Sequence, residues 1–203
     1  CLNQQLGDSE MGTLRLLLSS RYENLHQEVL NELMAKSRQN PIVDWVQPLL
    51  LELFNDNFAK VRLSALSFSL QEKKRFDSQA VLAAAVKSQY LDIRQAALNF
   101  IAEYPSQANQ AHLTPLLQDG DDKVRNKAIS LLVDAEQQSA LLAALDSTYT
   151  DVQVSAATAL AKWAEPKAFA VLESLLNRPE PESKADKLQW TAVNLKALAG
   201  LGL

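Results

Sequence analysis

The sequence predicts an all-α fold built from a repeated pair of helices. Three observations predict it: Leu and Ala dominate, glycine is scarce with 5 residues, and an apolar anchor recurs about every 30 residues. Leu and Ala lose little conformational freedom on entering a helix, whereas a sheet would show long stretches with a period of two. We therefore expect a right-handed α-α superhelix, or solenoid, of about six helix pairs.

Each predicted second helix is marked by an apolar anchor. The anchors are Leu25, Val61, Ile93, Val124, Val152 and Leu188. Four positions after them come Val29, Ala65, Ala97, Ala128, Ala156 and Ala192. Positions i and i+4 share one helical face, and a small residue there lets a neighbouring helix approach closely. We therefore expect each pair to lie in a continuous apolar seam.

Turn-forming and aromatic residues precede the anchors at fixed distances. Five positions before each anchor lies Ser or Asp: Ser20, Asp56, Ser88, Asp119, Ser147 and Ser183. Their side-chain oxygens can close a turn by accepting backbone N–H groups. Three positions before the anchor, four units carry an aromatic residue: Tyr22, Phe58, Tyr90 and Tyr149. Such a residue just outside a helix can pack back onto it.

A first helix is predicted before each anchor helix, so residues 1–203 are interpreted as one array. Its units are approximately 12–35, 42–72, 78–104, 110–135, 137–164 and 165–199. Pro41 and Pro166 suit the first turn of a helix, where no N–H is needed. Pro48 and Pro115 fall inside predicted first helices, and we expect them to kink there.

Residues 113–119, followed by Val124-Arg125, Ala128 and Leu131, form one unit of a pattern, and residues 46–50 with Val61-Arg62 are similar. This pattern resembles a HEAT repeat. The first, fifth and sixth units depart from the pattern at Leu25-His26, Val152-Gln153 and Leu188-Gln189. The resemblance implies stacked helix pairs whose second helices line a concave side. It says little about function, because such arrays serve many unrelated roles.

Three arginines, Arg62, Arg94 and Arg125, directly follow their anchors. One interpretation is a basic ladder that binds an anionic partner. The other is a ladder of ion pairs with acidic residues at the turns, such as Asp56, Asp92, Asp119 and Asp122. We favour ion pairs, since similar repeats commonly use them and the guanidinium group suits bidentate pairing with carboxylates.

The composition and motifs do not indicate an enzyme. The net charge of −4 lacks the basic excess that nucleic-acid binders usually show. The two histidines, His26 and His112, lie in different units, so no metal-ligand cluster is evident. No glycine-rich phosphate loop and no nucleophile motif are present. We therefore expect no catalytic, cofactor-binding or metal-binding residue.

The candidate site is a polar stripe on the second helices, opposite their buried face. Its members are Ser64, Ser67, Gln71, Asn99, Glu103, Lys127, Ser130, Asp134, Ser155, Thr158 and Lys162. Hydroxyl and amide groups of this kind can receive an extended peptide. We expect the partner to be another protein, with the chain acting as a scaffold or adaptor module of a larger bacterial protein or complex.

Two alternative functions stay open. Some HEAT-like glycosylases hold DNA in the concave groove, so DNA binding or DNA repair is one alternative. The basic cluster for it would be Lys60, Arg62, Arg94, Lys123, Arg125 and Lys127. The other is a HEAT-like bilin lyase, which the resemblance of the repeats alone suggests.

The two ends of the sequence raise separate expectations. A first residue Cys1 is typical of a mature bacterial lipoprotein, which would place a lipid anchor there and the chain on the periplasmic face of a membrane. We favour an arbitrary start within a longer chain and a cytoplasmic location. The apolar finish at 198–203 suggests that the chain continues or that this end is covered. No apolar stretch is long enough to span a membrane.

Overall fold

The computed structural model describes the backbone of residues 2–39 and 44–202, and their side chains apart from 2–8 and 185. Cys1, Pro41 and the predicted start of the second unit at 42 lie outside the described residues. The described part of the chain contains twelve α-helices and no strand, which confirms the all-α helical-repeat prediction.

The helices follow one another with short connections. They are α1 (Leu2–Leu18), α2 (Glu23–Ser37), α3 (Val46–Glu52), α4 (Ala59–Gln71), α5 (Ser78–Ala85), α6 (Leu91–Glu103), α7 (Gln107–Gln110), α8 (Asp122–Asp134), α9 (Gln138–Ala144), α10 (Thr150–Ala161), α11 (Pro166–Leu176) and α12 (Lys184–Leu201). Two short 3-10 helices, Leu53–Asn55 and Thr114–Gln118, precede α4 and α8.

The chain divides into two compact units, Cys1–Phe100 and Ile101–Leu203. In the first unit, α2 packs against α1, α3 and α4. In the second unit, α10 packs against α8, α9, α11 and α12, which places it at the centre of that unit. The assignment of all 203 residues to one array of six units stays a prediction.

The predicted seam is confirmed at its central positions. Val61, Ile93, Val124 and Val152 are fully buried. Their partners four residues later are fully buried as well: Ala65, Ala97, Ala128 and Ala156. In the first repeat, 12–35, Leu25 is half-buried, whereas Val29 is buried. These side chains therefore form the contact between packed helices, as the spacing predicts.

The predicted register of the last helix is wrong. Leu188 is 77% exposed and Ala192 is exposed, whereas Val193 and Ala197 are buried. The reason is that α12 begins at Lys184, and the buried residues Val193 and Ala197 come more than one helical turn after that start. With Val193 as the anchor, Trp190 occupies the aromatic position three residues earlier.

Pro48 and Pro115 do not produce the predicted kinks within a helix. Pro48 is the third residue of α3, inside the first turn, where its missing N–H removes no helical bond. Pro115 lies in a 3-10 helix, and the first helix predicted at the start of the unit 110–135 is broken there. Proline clashes with the carbonyl four residues earlier and cannot donate to it, so α7 ends at Gln110. Pro166 begins α11, as predicted.

The turn-closing role of Ser and Asp is confirmed in five of the six predicted repeats. In each of them the backbone N–H two residues later donates to the side-chain oxygen. The bonds are Tyr22 to Ser20 at 3.2 Å, Phe58 to Asp56 at 2.8 Å, Tyr90 to Ser88 at 3.2 Å, Asp121 to Asp119 at 2.9 Å and Tyr149 to Ser147 at 3.1 Å. Ser183 precedes α12 but makes no such side-chain bond. This turn fixes the angle at which each second helix begins.

Two glycines give a matched prediction about packing. A Cβ at Gly200 would lie 2.9 Å from Leu172 Cδ1 and 3.3 Å from Thr158 Cα, so α12 approaches α10 closely there. A Cβ at Gly12 in α1 would meet nothing within 4 Å. We expect Gly200→Ala to lower the free energy of unfolding by about 1 kcal/mol net, because overpacking outweighs helix propensity. Gly12→Ala should raise it by about 0.5–1 kcal/mol. Urea denaturation of both variants checks the pair, and stabilisation by both would contradict the close approach.

The C-terminal turn of α10 gives a second prediction. Ala164 has a φ of 56°, which is left-handed, and the next N–H, of Glu165, donates to the Leu160 carbonyl at 3.2 Å. Such a position favours glycine because a Cβ crowds the following carbonyl. We expect Ala164→Gly to raise the free energy of unfolding by about 0.5–1 kcal/mol. Thermal melting is the measurement, and an unchanged or lower transition temperature would argue against the left-handed turn.

Candidate functional site

Arg62 is a buried structural cation rather than a free one. Its Nη2 lies 2.6 Å from Asp92 Oδ2, and its Nη1 donates to the Asp56 carbonyl at 2.8 Å. The Tyr90 ring stacks on the guanidinium group, with its centroid 3.7 Å from Cζ. An acid, a carbonyl and a ring therefore hold this cation, which is buried.

Arg125 repeats the same arrangement in the second unit. Its Nη2 lies 2.9 Å from Asp151 Oδ2, its Nη1 donates to the Asp119 carbonyl at 2.7 Å, and the Tyr149 centroid lies 3.9 Å from Cζ. Arg94 donates through Nη1 to the Ser88 carbonyl at 2.9 Å. The ion-pair interpretation is confirmed for Arg62 and Arg125. Arg62 and Arg125 receive carbonyls from Asp56 and Asp119, and Asp151 is a partner that the sequence pattern did not identify.

His26 occupies the same position in the first helix pair. Its Nε2 donates to the Ser20 carbonyl at 2.9 Å, six residues earlier, as each arginine does. Its Nδ1 lies 2.6 Å from Asp56 Oδ2, and the Phe58 ring meets it edge-on at 4.9 Å between centroids. Both side chains of the pair are nearly sealed, with 1% and 4% exposed. Sequence reasoning missed this residue because Leu25-His26 departs from the Val-Arg pattern.

The predicted polar stripe lies on four second helices. Ser64, Ser67 and Gln71 are on α4, Asn99 and Glu103 on α6, Lys127, Ser130 and Asp134 on α8, and Ser155 and Thr158 on α10, with Lys162 directly after the end of α10. Eight of them are exposed, and Ser64, Ser155 and Thr158 are partly buried. Thr158 donates to the Lys196 carbonyl at 3.3 Å and so belongs to the contact between α10 and α12. The role of the stripe in binding stays a prediction.

A groove crosses three second helices of the second unit, with a volume of about 540 Å³. Its floor is α10, one wall is the first half of α8, and the other wall is α12. The lining residues are Asp122, Arg125, Asn126, Asp151, Val154, Leu188, Gln189, Ala192, Val193 and Lys196. We call this the α10 groove. Leu188 and Gln189, which precede the buried Val193 on α12, line one side of this groove.

The charges in the α10 groove are mixed. The pair of Arg125 on the α8 wall and Asp151 on the floor is neutral as a unit. Asp122 on the α8 wall and Lys196 on the α12 wall add one charge of each sign. Asn126 and Gln189 add exposed amides on opposite walls, and no hydrogen bond to either side chain appears among the described residues. The groove therefore offers both donors and acceptors beside the apolar Leu188 and Ala192.

A smaller cavity of about 330 Å³ lies beside the connection between α11 and α12. Arg178 lines it, donating through Nη1 to Thr150 Oγ1 at 3.2 Å and through Nε to the Leu175 carbonyl at 3.1 Å. Burial lowers the pKa of Arg178 below its ordinary value. These bonds tie the connection to the start of α10, so the cavity is explained by local structure.

None of the eleven predicted stripe residues lines the α10 groove. The stripe residues of α8 and α10 continue along the same helices towards their C-terminal ends. One signal for the groove was present in the sequence, because Asp122 and Asn126 share a helical face at a spacing of four. The other wall depends on the register of α12, which the anchor pattern misplaced.

No group of three or more His, Cys, Asp or Glu side chains that could hold a metal ion occurs among the described residues. Among the helices within 2–39 and 44–202, none is long and apolar enough to cross a membrane.

Comparison with known proteins identifies the repeat. The family model of HEAT repeats matches residues 46–133. No curated protein matches the sequence. A crystal structure of an engineered protein is 21% identical, over 93% of this chain and 96% of that chain, with a TM-score of 0.35. HEAT repeats generally mediate protein–protein interactions and are generally non-enzymatic scaffolds. Residues 46–133 are therefore similar to HEAT repeats.

Proposed function

We propose that the chain is a protein–protein interaction scaffold whose α10 groove holds an extended segment of a partner protein. The observation that carries the proposal is the pair of exposed amides, Asn126 and Gln189, on opposite walls of one concave groove. Each amide offers donors and an acceptor, which match the alternating N–H and C=O groups of a peptide backbone. Leu188 and Ala192 supply apolar contact for alternate side chains of that segment.

The electrostatics of the groove support a peptide more than a nucleic acid. Binding to phosphates needs several unpaired cations along one track. Arg62 and Arg125, two members of the basic cluster, are buried in ion pairs with Asp92 and Asp151. The remaining groove cation, Lys196, shares the groove lining with the carboxylate of Asp122. A segment with charges of both signs is the complement of this surface.

The proposed path of the peptide continues from the groove onto the predicted stripe. Lys127 and Ser130 follow Asn126 on α8, and Ser155 follows Val154 on the floor. The proposed role is that of a non-catalytic adaptor in a larger bacterial protein or complex. Asp151 lines the groove, but its carboxylate forms the ion pair with Arg125, and we propose no catalytic role for it.

Affinity capture from a native lysate with quantitative mass spectrometry tests the proposal. Asn126→Tyr fills the groove from an exposed position and should leave the fold intact. We expect the wild-type chain to enrich one protein, and Asn126→Tyr to lose at least about nine-tenths of it, equivalent to ~1.4 kcal/mol.

The matched control is Lys123→Tyr, which adds the same ring at an exposed position of α8 outside the groove lining. This control should retain the captured protein. If both variants capture the partner protein equally well, the binding site does not lie in the α10 groove. Recovery of nucleic acid alone, lost on raising the salt concentration, would overturn the scaffold proposal in favour of DNA or RNA binding.

A further inference from the structure

The outward face of α12 is apolar and open to solvent. Leu188 and Leu195 lie seven residues apart and are 77% and 63% exposed. Thr191, Ala192 and Ala199 are exposed between and beyond them. We call these five residues the outer stripe. The opposite face of the same helix carries the buried Val193 and Ala197. A helix that is apolar on two opposite faces is typical of one that packs on both sides.

The outer stripe has the shape that another helix needs. Positions 188, 191, 192, 195 and 199 recur with helical spacing, so they form one straight seam along α12. Two large side chains alternate with small ones, which leaves spaces for the side chains of a facing helix. A shallow depression of about 630 Å³ beside Leu188, lined also by Lys184, Lys187 and Thr191, adds room at one end.

The charges around the outer stripe are positive. Lys184 and Lys196 are exposed at its margins. Lys187 lies 2.9 Å from Glu180, and this ion pair adds no net charge. Asp186 lines the cavity beside Trp190 on the other side of the helix. A second copy of the chain would bring the lysines of both copies together, whereas an acidic partner would be attracted.

We propose that the outer stripe docks an amphipathic helix of a partner protein. Large apolar side chains of that helix pack around Leu188 and Leu195, and its acidic residues pair with Lys184 and Lys196. This surface goes beyond the α10 groove, since Leu195 and Ala199 do not line the groove. The two surfaces share Leu188 and Ala192, so the chain carries two adjoining contacts, one for an extended segment and one for a helix.

Binding of two synthetic peptides to the whole 203-residue chain, followed by fluorescence anisotropy, tests this proposal. Both are amphipathic helices of about three heptads with a leucine seam, and they differ only in having Glu or Lys beside the seam. We expect the Glu peptide to bind at least about tenfold more tightly than the Lys peptide. We also expect its affinity to fall at least about tenfold in Leu195→Glu.

Three controls make the outcome decisive. Leu16→Glu changes an equally exposed leucine, 72% exposed on α1, and should bind the Glu peptide as the wild type does. Asn126→Tyr should do so too, which separates this surface from the groove. Circular dichroism establishes that Leu195→Glu is folded. Equal affinity for both peptides, or no effect of Leu195→Glu, would overturn the proposal. Sedimentation provides a further test. If the wild type is a dimer and Leu195→Glu is a monomer, the outer stripe binds a second copy of the chain, and the proposal is overturned.

Discussion

Replacing Asp56 with alanine is expected to lower the free energy of unfolding by about 3–5 kcal/mol. The carboxylate lies 2.6 Å from His26 Nδ1, and both side chains are nearly sealed from solvent. Its other oxygen accepts the Phe58 N–H and closes the turn before α4. The substitution leaves a buried histidine without its acid and removes the turn bond at once. Urea denaturation at constant pH, followed by circular dichroism, measures the loss.

A matched variant separates the two roles of Asp56. Serine occupies the equivalent position in other units, where Ser88 and Ser147 accept the same N–H bond. Asp56→Ser therefore keeps the turn and removes the charge, and we expect it to recover about 1 kcal/mol relative to alanine. Combining Asp56→Ser with His26→Leu removes both members of the pair and should be less destabilising than the sum of the single changes. Strict additivity would show that the two side chains are not coupled.

Arg125→Met is expected to cost about 3 kcal/mol of stability. Methionine keeps an apolar stem against the Tyr149 ring but loses the fork that holds Asp151 and the Asp119 carbonyl. The acid and the carbonyl are then left partly buried without their donor. Urea denaturation of the variant, compared with the wild type, measures the effect.

Two companion variants test the reason for the Arg125 effect. Arg125→Lys keeps the charge without the planar fork and should fall between the wild type and Arg125→Met. Lys123→Met removes an exposed cation from the same helix and should change stability by less than about 0.5 kcal/mol. If Arg125→Met costs no more than Lys123→Met, the arginine is not a structural residue and is free to bind an anion.

Much of the fold can be predicted from this sequence because the local signals agree with one another. Val124 and Ala128 share a helical face, and both are buried. Asp119 closes its turn, and Arg125 pairs with an acid. Each signal depends on residues within one or two helix pairs, so periodicity and turn chemistry suffice to identify it.

The last helix shows where sequence reasoning fails and why. In α12, Leu188 with Ala192 and Val193 with Ala197 are both apolar pairs at a spacing of four. Periodicity cannot decide which pair is buried, because both faces of the helix are apolar. Only packing against α10 and α11 selects Val193 and Ala197. The α10 groove and the outer stripe follow from that choice, so neither can be predicted from the sequence alone.

The most direct test of the central claim maps where a bound peptide contacts the chain. A peptide is first selected from a displayed random library against the wild-type chain. Amide hydrogen exchange is then measured with and without that peptide. The proposal predicts increased protection in the first half of α8, the first half of α10 and residues 188–196 of α12. Protection confined to the first helices α9 and α11 of the same unit would contradict the assignment of the α10 groove as the binding site.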